Sequence, residues 1–131
     1  MCIRDRLVTA PPSPAYPTGG EVWLCDDGTY NAAGGGLWRS TDSAQNWVKL
    51  TTVGKVSQVS FGLGQGGVGY SVFVHGYVGT VKGVYRSDDY GTTWVKLADP
   101  TIKEILTLTG DRQNYGKVFL GTGGRGTFQW P

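Results

Sequence analysis

Short apolar runs separated by glycine-rich or polar turns recur along the whole chain. Lys55 to Phe61, Tyr70 to Val78 (YSVFVHGYV), Gly83 to Ser87 and Thr92 to Leu97 form one series of four strand-like segments. The first two are joined by GLGQGGVG. Upstream, Glu21–Leu24, Gly36–Ser40 and Asn46–Leu50 read as three more strands, and downstream Ile102–Leu108, Lys117–Leu120 and Gly126–Trp130 as another three. No stretch of ten or more residues repeats apolar positions at helical spacing. The pattern predicts about ten short strands and no helix.

The strands repeat as a set. Residues 36–50 read GLWRSTDSAQNWVKL and residues 83–97 read GVYRSDDYGTTWVKL; eight of fifteen aligned positions are identical at a spacing of 47. Val22-Trp23-Leu24, Val72-Phe73-Val74 and Val118-Phe119-Leu120 form a second series, spaced 50 and 46 residues apart. A period of about 40–50 residues with several strands per unit is the signature of β-propeller blades. The expected fold is therefore all-β: an incomplete propeller of about two and a half four-stranded antiparallel blades, near residues 20–50, 55–97 and 102–130. A closed propeller takes at least about four blades.

The best-copied part of the repeat is a hairpin with the pattern S-x-D-x-G-x-x-W. In one copy it is Ser87, Asp89, Gly91 and Trp94; in the other Ser40, Asp42 and Trp47, with Ala44 where glycine is expected. Each position has a physical task. The aspartate accepts hydrogen bonds from backbone N–H groups just ahead of it. Glycine takes a positive φ without steric cost. The tryptophan brings a large apolar surface with one donor. Alanine in a left-handed turn costs about 1–2 kcal/mol, so the first hairpin is expected to be slightly looser.

Composition narrows the function. There are 22 Gly, 5 Trp, 7 Tyr and 4 Phe, and a net charge of +2 from 12 basic and 10 acidic residues. The basic side chains are scattered singly, which argues against a nucleic-acid partner. No apolar run is long enough for a membrane span. Cys2 and Cys25 have no metal-ligand spacing; Cys25 reads as a small buried residue, with a Cys2–Cys25 disulfide as the alternative. No cofactor is expected. The two G-x-G-x-x-G matches, Gly62–Gly67 and Gly121–Gly126, precede strand-like sequence rather than a helix and are read as turns.

Tempting catalytic groups have plainer readings. Asp88 and Asp89 are adjacent on a strand end and point to opposite faces, so they cannot flank one glycosidic bond; Asp89 builds the turn and Asp88 is expected to be a solvated neighbour. Asp26-Asp27-Gly28 is read as a turn. His75 is read as a satisfied sheet histidine. Among the aromatics that could stack on sugars, Trp23, Trp38, Trp47, Tyr85 and Trp94, the inter-blade core is the preferred place for Trp47 and Trp94. No residue is assigned to catalysis, cofactor binding or metal.

The hairpin pattern resembles the Asp-box, or bacterial neuraminidase repeat, in which it is a structural element of the blade. The downstream half is more specific: Gly110-Asp111-Arg112, Tyr115-Gly116 and Gly121-Thr122-Gly123-Gly124-Arg125-Gly126 resemble the C-terminal end of glycoside hydrolase family 74, the xyloglucanases. The loop PTIKEILTLTG departs from that family's pattern by lacking polar and histidine residues. The resemblance implies a secreted parent enzyme with two propellers facing across a cleft. It implies a β-1,4-glucan substrate with xylose branches and an inverting acid/base pair of aspartates lying outside this chain. The partners expected are the polysaccharide and the remaining blades. A non-enzymatic Asp-box propeller that binds protein or glycan is the alternative. Residues 1–19, Pro-rich and without a signal-peptide core, are expected to be extended or disordered. Their first six, MCIRDR, resemble translated adapter sequence, so the chain is expected to be a fragment.

Overall fold

A computed structural model describes residues 5–11, 14, 19–26, 35–79, 81–97, 105–122 and 126–130. They form eleven strands: β1 (Asp5–Thr9), β2 (Val22–Asp26), β3 (Gly36–Ser40), β4 (Val48–Leu50), β5 (Gly54–Leu63), β6 (Tyr70–Val78), β7 (Val81–Ser87), β8 (Val95–Lys96), β9 (Ile105–Gly110), β10 (Val118–Thr122) and β11 (Gly126–Trp130). All the pairings are antiparallel, in three sheets ordered β1-β2-β3-β4, β5-β6-β7-β8 and β11-β10-β9. The only helical turn among the described residues is Gln65–Gly67, within the glycine-rich link between β5 and β6.

Each sheet is a meander, in which strands consecutive in the chain are hydrogen-bonded neighbours. The three sheets stack in chain order as blades. Between the first and second lies a core of Trp23, Cys25, Leu37, Val56, Phe61, Tyr70, Val72, Val74 and Tyr85. Between the second and third lie Phe73, Val84, Leu108 and Val118. The side-chain period of two divides each strand between its two neighbours: Val72 and Val74 face the first blade while Phe73 faces the third.

Two differences from the sequence expectation have local causes. Asp5–Thr9, within the segment read as outside the fold, pairs with Thr9↔Val22 through Asp5↔Asp26 and supplies the first blade's first strand. The run DRLVT, beside a proline-rich stretch, pairs along the edge of β2. The outer strands are also shorter than expected. β8 begins at Val95 because the N–H groups of Thr92 and Thr93 bond to the Asp89 carboxylate instead of a ladder partner.

Candidate functional site

The two hairpins between the third and fourth strands share a core of three hydrogen bonds. Ser87 Oγ donates to Asp89 Oδ1 at 2.7 Å, and Ser40 Oγ donates to Asp42 Oδ1 at the same 2.7 Å. Gly91 N donates to Ser87 Oγ at 2.8 Å, Ala44 N to Ser40 Oγ at 2.9 Å. Thr93 N and Asn46 N each reach their aspartate at 2.8 Å. The turn is left-handed in both: Tyr90 and Gly91 have φ of 58° and 96°, Ser43 and Ala44 of 60° and 70°. With alanine at this position the three shared bonds keep their lengths, while Gln45 N bonds to Asp42 O at 3.4 Å where Thr92 N reaches the Asp89 carboxylate at 3.1 Å; alanine also carries the cost of the left-handed dihedral.

These bonds set the carboxylate chemistry. Hydrogen bonds from the Asn46 side chain and backbone and from Ser40 pull the Asp42 pKa down to about 2. At Asp89 burial works upward, but bonds from Thr93, Ser87 and Thr92 outweigh it and the pKa is lowered. Both groups are held ionised as acceptors, the reverse of what a general acid requires. Asp88 is not the solvated neighbour expected from sequence. Its Oδ2 accepts a 2.7 Å bond from the Tyr115 hydroxyl in the third blade, and its Oδ1 lies 3.3 Å from Arg86 Nε. Only packing of the third blade's β9–β10 link onto this hairpin makes that contact, which sequence spacing does not show.

A second set of polar groups is buried between the first two blades. Glu21 is 1% exposed and Tyr70 1% exposed. Tyr70 donates to Glu21 Oε1 at 2.6 Å and accepts from Trp23 Nε1 at 3.2 Å. Arg39 binds the same Glu21 oxygen through Nε at 3.1 Å and through Nη2. Its guanidinium lies over Trp23 and over Tyr90 of the second hairpin, 5.5 and 5.2 Å from the ring centres. Burial first, and the Glu21 bond second, push the Tyr70 pKa upward. Arg86, the repeat equivalent of Arg39, lies 4.9 Å from the Tyr115 ring centre. Each arginine of the Arg-Ser pair thus reaches an aromatic of the next blade. Glu21 carried no signal in the sequence, because nothing near it marks a buried carboxylate.

The aromatics sort differently from the expectation. Trp23 is fully buried, whereas Trp47 and Trp94 are half-buried. Trp94 packs on the first core's margin and donates through Nε1 to Thr52 Oγ1 at 2.9 Å, and Thr52 donates to Gly91 O at 2.6 Å. Tyr85 is buried; Trp38 is half-buried under Lys49, whose Nζ is 5.3 Å from its ring centre. His75 is buried, with Nδ1 3.0 Å from Ser57 Oγ. Cys25 is buried in the core between the first two blades. Asp26 ends β2 opposite Gly36. Cys2, Asp27, Gly28, Gly123, Gly124 and Arg125 lie outside the described residues.

A hollow of about 380 Å3 lies beside the link from β4 to β5 that joins the first two blades, lined by Lys49, Thr51, Thr52, Gly54 and Gly79 among others. Among the described residues its walls offer hydroxyls, backbone groups and one ammonium. Among the described residues, no three His, Cys, Asp or Glu side chains are grouped as metal ligands, and no helix is long and apolar enough to cross a membrane.

Comparison with known proteins agrees with this architecture. Residues 84–97 match the BNR-Asp box repeat family. The chain is 36% identical to a xyloglucanase of Paenibacillus sp over 82% of its own length and 11% of the relative's. It is 39% identical to the xyloglucanase Xgh74A of Acetivibrio thermocellus, over 82% of this chain and 12% of that one. The chain thus spans little more than a tenth of these relatives. The crystal structure of the Niastella koreensis GH74 enzyme superposes with a TM-score of 0.78 at 25% identity, over 95% of this chain and 18% of that one. The GH74 xyloglucanase from Xanthomonas campestris shares the fold, with a TM-score of 0.55 at 20% identity over 97% of this chain and 24% of that one. The molecule is an incomplete β-propeller carrying Asp-box hairpins. It resembles a small part of the family 74 xyloglucanases.

Proposed function

We propose that this chain is the C-terminal propeller portion of a secreted glycoside hydrolase acting on xyloglucan-type β-1,4-glucans. It builds blades and walls the substrate cleft, while the inverting acid and base carboxylates reside in other blades of the parent protein. Ser40, Asp42 and Trp47, with Ser87, Asp89, Gly91 and Trp94, are structural hairpin residues rather than reactive ones. The observation that carries the proposal is 82% coverage of this chain by xyloglucanases at 34–39% identity. The state of the carboxylates supports it. Asp42 and Asp89 are saturated by turn donors, and Asp88 is tied to Arg86 and Tyr115. An inverting pair instead needs two carboxyls about 6.5–9.5 Å apart with room for water.

The test is a reducing-sugar assay of the purified 131-residue chain on xyloglucan. No release above buffer is expected. Sustained release that survives repeated purification would place the chemistry inside this chain and overturn the proposal.

A further inference from the structure

Glycine and backbone strain are placed against the usual preference at the start of β5. Gly54 has no positive φ, and a Cβ built on it would meet nothing within 4 Å. Lys55, the next residue, is left-handed at a φ of 47°. Folding alone favours the reverse, with glycine in the left-handed position and a side chain at 54. The positive φ belongs to a bulge, residues 55–57, that stands opposite Gly76 between the pairs Gly54↔Tyr77 and Gln58↔His75. The bulge lies on bare backbone, since a Cβ on Gly76 would come within 3.1 Å of Gly54 O. A blade does not need this bulge: β1 and β2 of the first blade pair in regular register.

What the bulge does is aim Lys55, the use to which bulges beside sites are commonly put. Gly54 and Gly79 line the hollow beside the β4–β5 link, together with Lys49 and Thr51. Tyr77 is the cross-strand partner of Gly54 and shares its face of the sheet. Lys55 Nζ is held 5.8 Å from the Tyr77 ring centre, and Lys49 Nζ 5.3 Å from that of Trp38. Among the described residues neither ammonium is paired with a carboxylate. Thr52 is engaged by Gly91 O and Trp94 Nε1, whereas Thr51 is exposed.

We propose that this hollow is a subsite for one carboxylate-bearing sugar, a uronosyl branch of the polysaccharide that the parent protein binds. Lys49 in the wall and Lys55 at the lip meet the carboxylate. Thr51 and the bare main chain at Gly54 and Gly79 meet the ring hydroxyls. The volume of about 380 Å3 suits a single ring, at the lower end of the about 300–1,000 Å3 of ligand sites. A neutral sugar would leave the two ammoniums without a counterpart, and a phosphate would leave the hydroxyl and the bare backbone so. Glycine at 54 lets a ring approach the main chain, and the strain at Lys55 is kept for the charge it delivers. The class of ligand rests on the polysaccharide reading proposed above; the acidic branch is what the hollow adds.

Titration of the full chain with methyl glucuronide, followed by amide NMR shifts, tests this. Saturable shifts are expected at Thr51, Gly54 and Lys55, weakening as salt is raised. Methyl glucoside and inorganic phosphate should each bind about tenfold more weakly, as for the loss of one charged hydrogen bond. Lys55→Gly should raise the melting temperature and weaken glucuronide binding about tenfold, a pairing of effects that a purely structural lysine would not give. Gly54→Leu, whose side chain enters open space, should keep the wild-type circular dichroism and lose the ligand. Absence of saturable shifts in the wild type, equal affinity for glucoside or phosphate, or undiminished binding by Gly54→Leu would each overturn the proposal. The reducing-sugar assay is blind to this hollow, so loss of the subsite leaves the hydrolase reading standing, and sugar release by this chain would sink that reading alone.

Discussion

Tyr70 donates a 2.6 Å hydrogen bond to Glu21 across the boundary between two blades, and the indole of Trp23 donates to the same hydroxyl. Removing that oxygen leaves a buried carboxylate and a buried indole N–H each short of one partner. Tyr70→Phe should cost about 1–3 kcal/mol, read from the urea midpoint. The phenol is kept protonated by burial and by Glu21, so its folded-state pKa is raised. Its contribution is therefore full below its ordinary pKa of about 10 and is lost as pH rises beyond that. Tyr70→Phe should flatten the alkaline loss of stability; an unchanged alkaline slope would contradict the assignment.

Arg39 is the cation that makes burial of Glu21 tolerable. Arg39→Met keeps much of the stem packing on Trp23 but takes the arginine's charge and hydrogen bonds away from the buried carboxylate. A loss of about 3 kcal/mol is expected, and the double variant Arg39→Met with Glu21→Gln should recover part of it. Absence of recovery would show that the arginine acts through packing alone.

Where the second hairpin has Gly91 at its left-handed position, the first has Ala44. Ala44→Gly should relieve left-handed strain that exceeds glycine's entropic cost, a net gain of about 0.5–1 kcal/mol. Differential scanning calorimetry should show a melting temperature higher by a few degrees.

The reverse change should be severe. A Cβ on Gly91 would lie 2.5 Å from Leu50 Cδ1 and 3.6 Å from the Trp23 ring, at a φ of +96°. Gly91→Ala should cost about 2 kcal/mol or more, adding strain to overpacking. Equal stabilities for the wild type and this variant in urea would show that the hairpin does not pack on the first blade.

Acid should loosen the hairpins. Asp42, Asp89 and Asp111 all have folded-state pKa values below the ordinary carboxylate range, Asp42 at about 2. Their contribution is present above the unfolded pKa of about 3.9 and is lost as pH falls toward the folded value. Urea midpoints measured between pH 6 and pH 2 should fall mainly below about pH 4, and Asp42→Asn should make that fall shallower.

The repeat made the blades legible, because a hairpin that must supply an acceptor, a left-handed position and a large aromatic leaves few residue choices. It also placed Asp89 and Gly91 at their positions in the turn. The role of Asp88 was not legible, since its partner Tyr115 is 27 residues away in another blade. Nor was Glu21: its partners Arg39 and Tyr70 come from separate strands, and only packing brings them together. β1 escaped notice because five residues beside a proline-rich stretch carry too little periodicity to announce a strand.

Near the inner strands, the second and third blades meet peptide group to peptide group. Leu63 N donates to Asp111 O at 2.8 Å, and a Cβ on Gly110 would stand 2.6 Å from Phe61 O. The spacing at the hub of the arc is thus gauged mainly by main chain, with the Ser60 hydroxyl accepting from Gly110 N at 3.0 Å. A single methyl at Gly110 would act as a wedge at the hinge line, opening the angle between two blades and so altering how many can complete a circle.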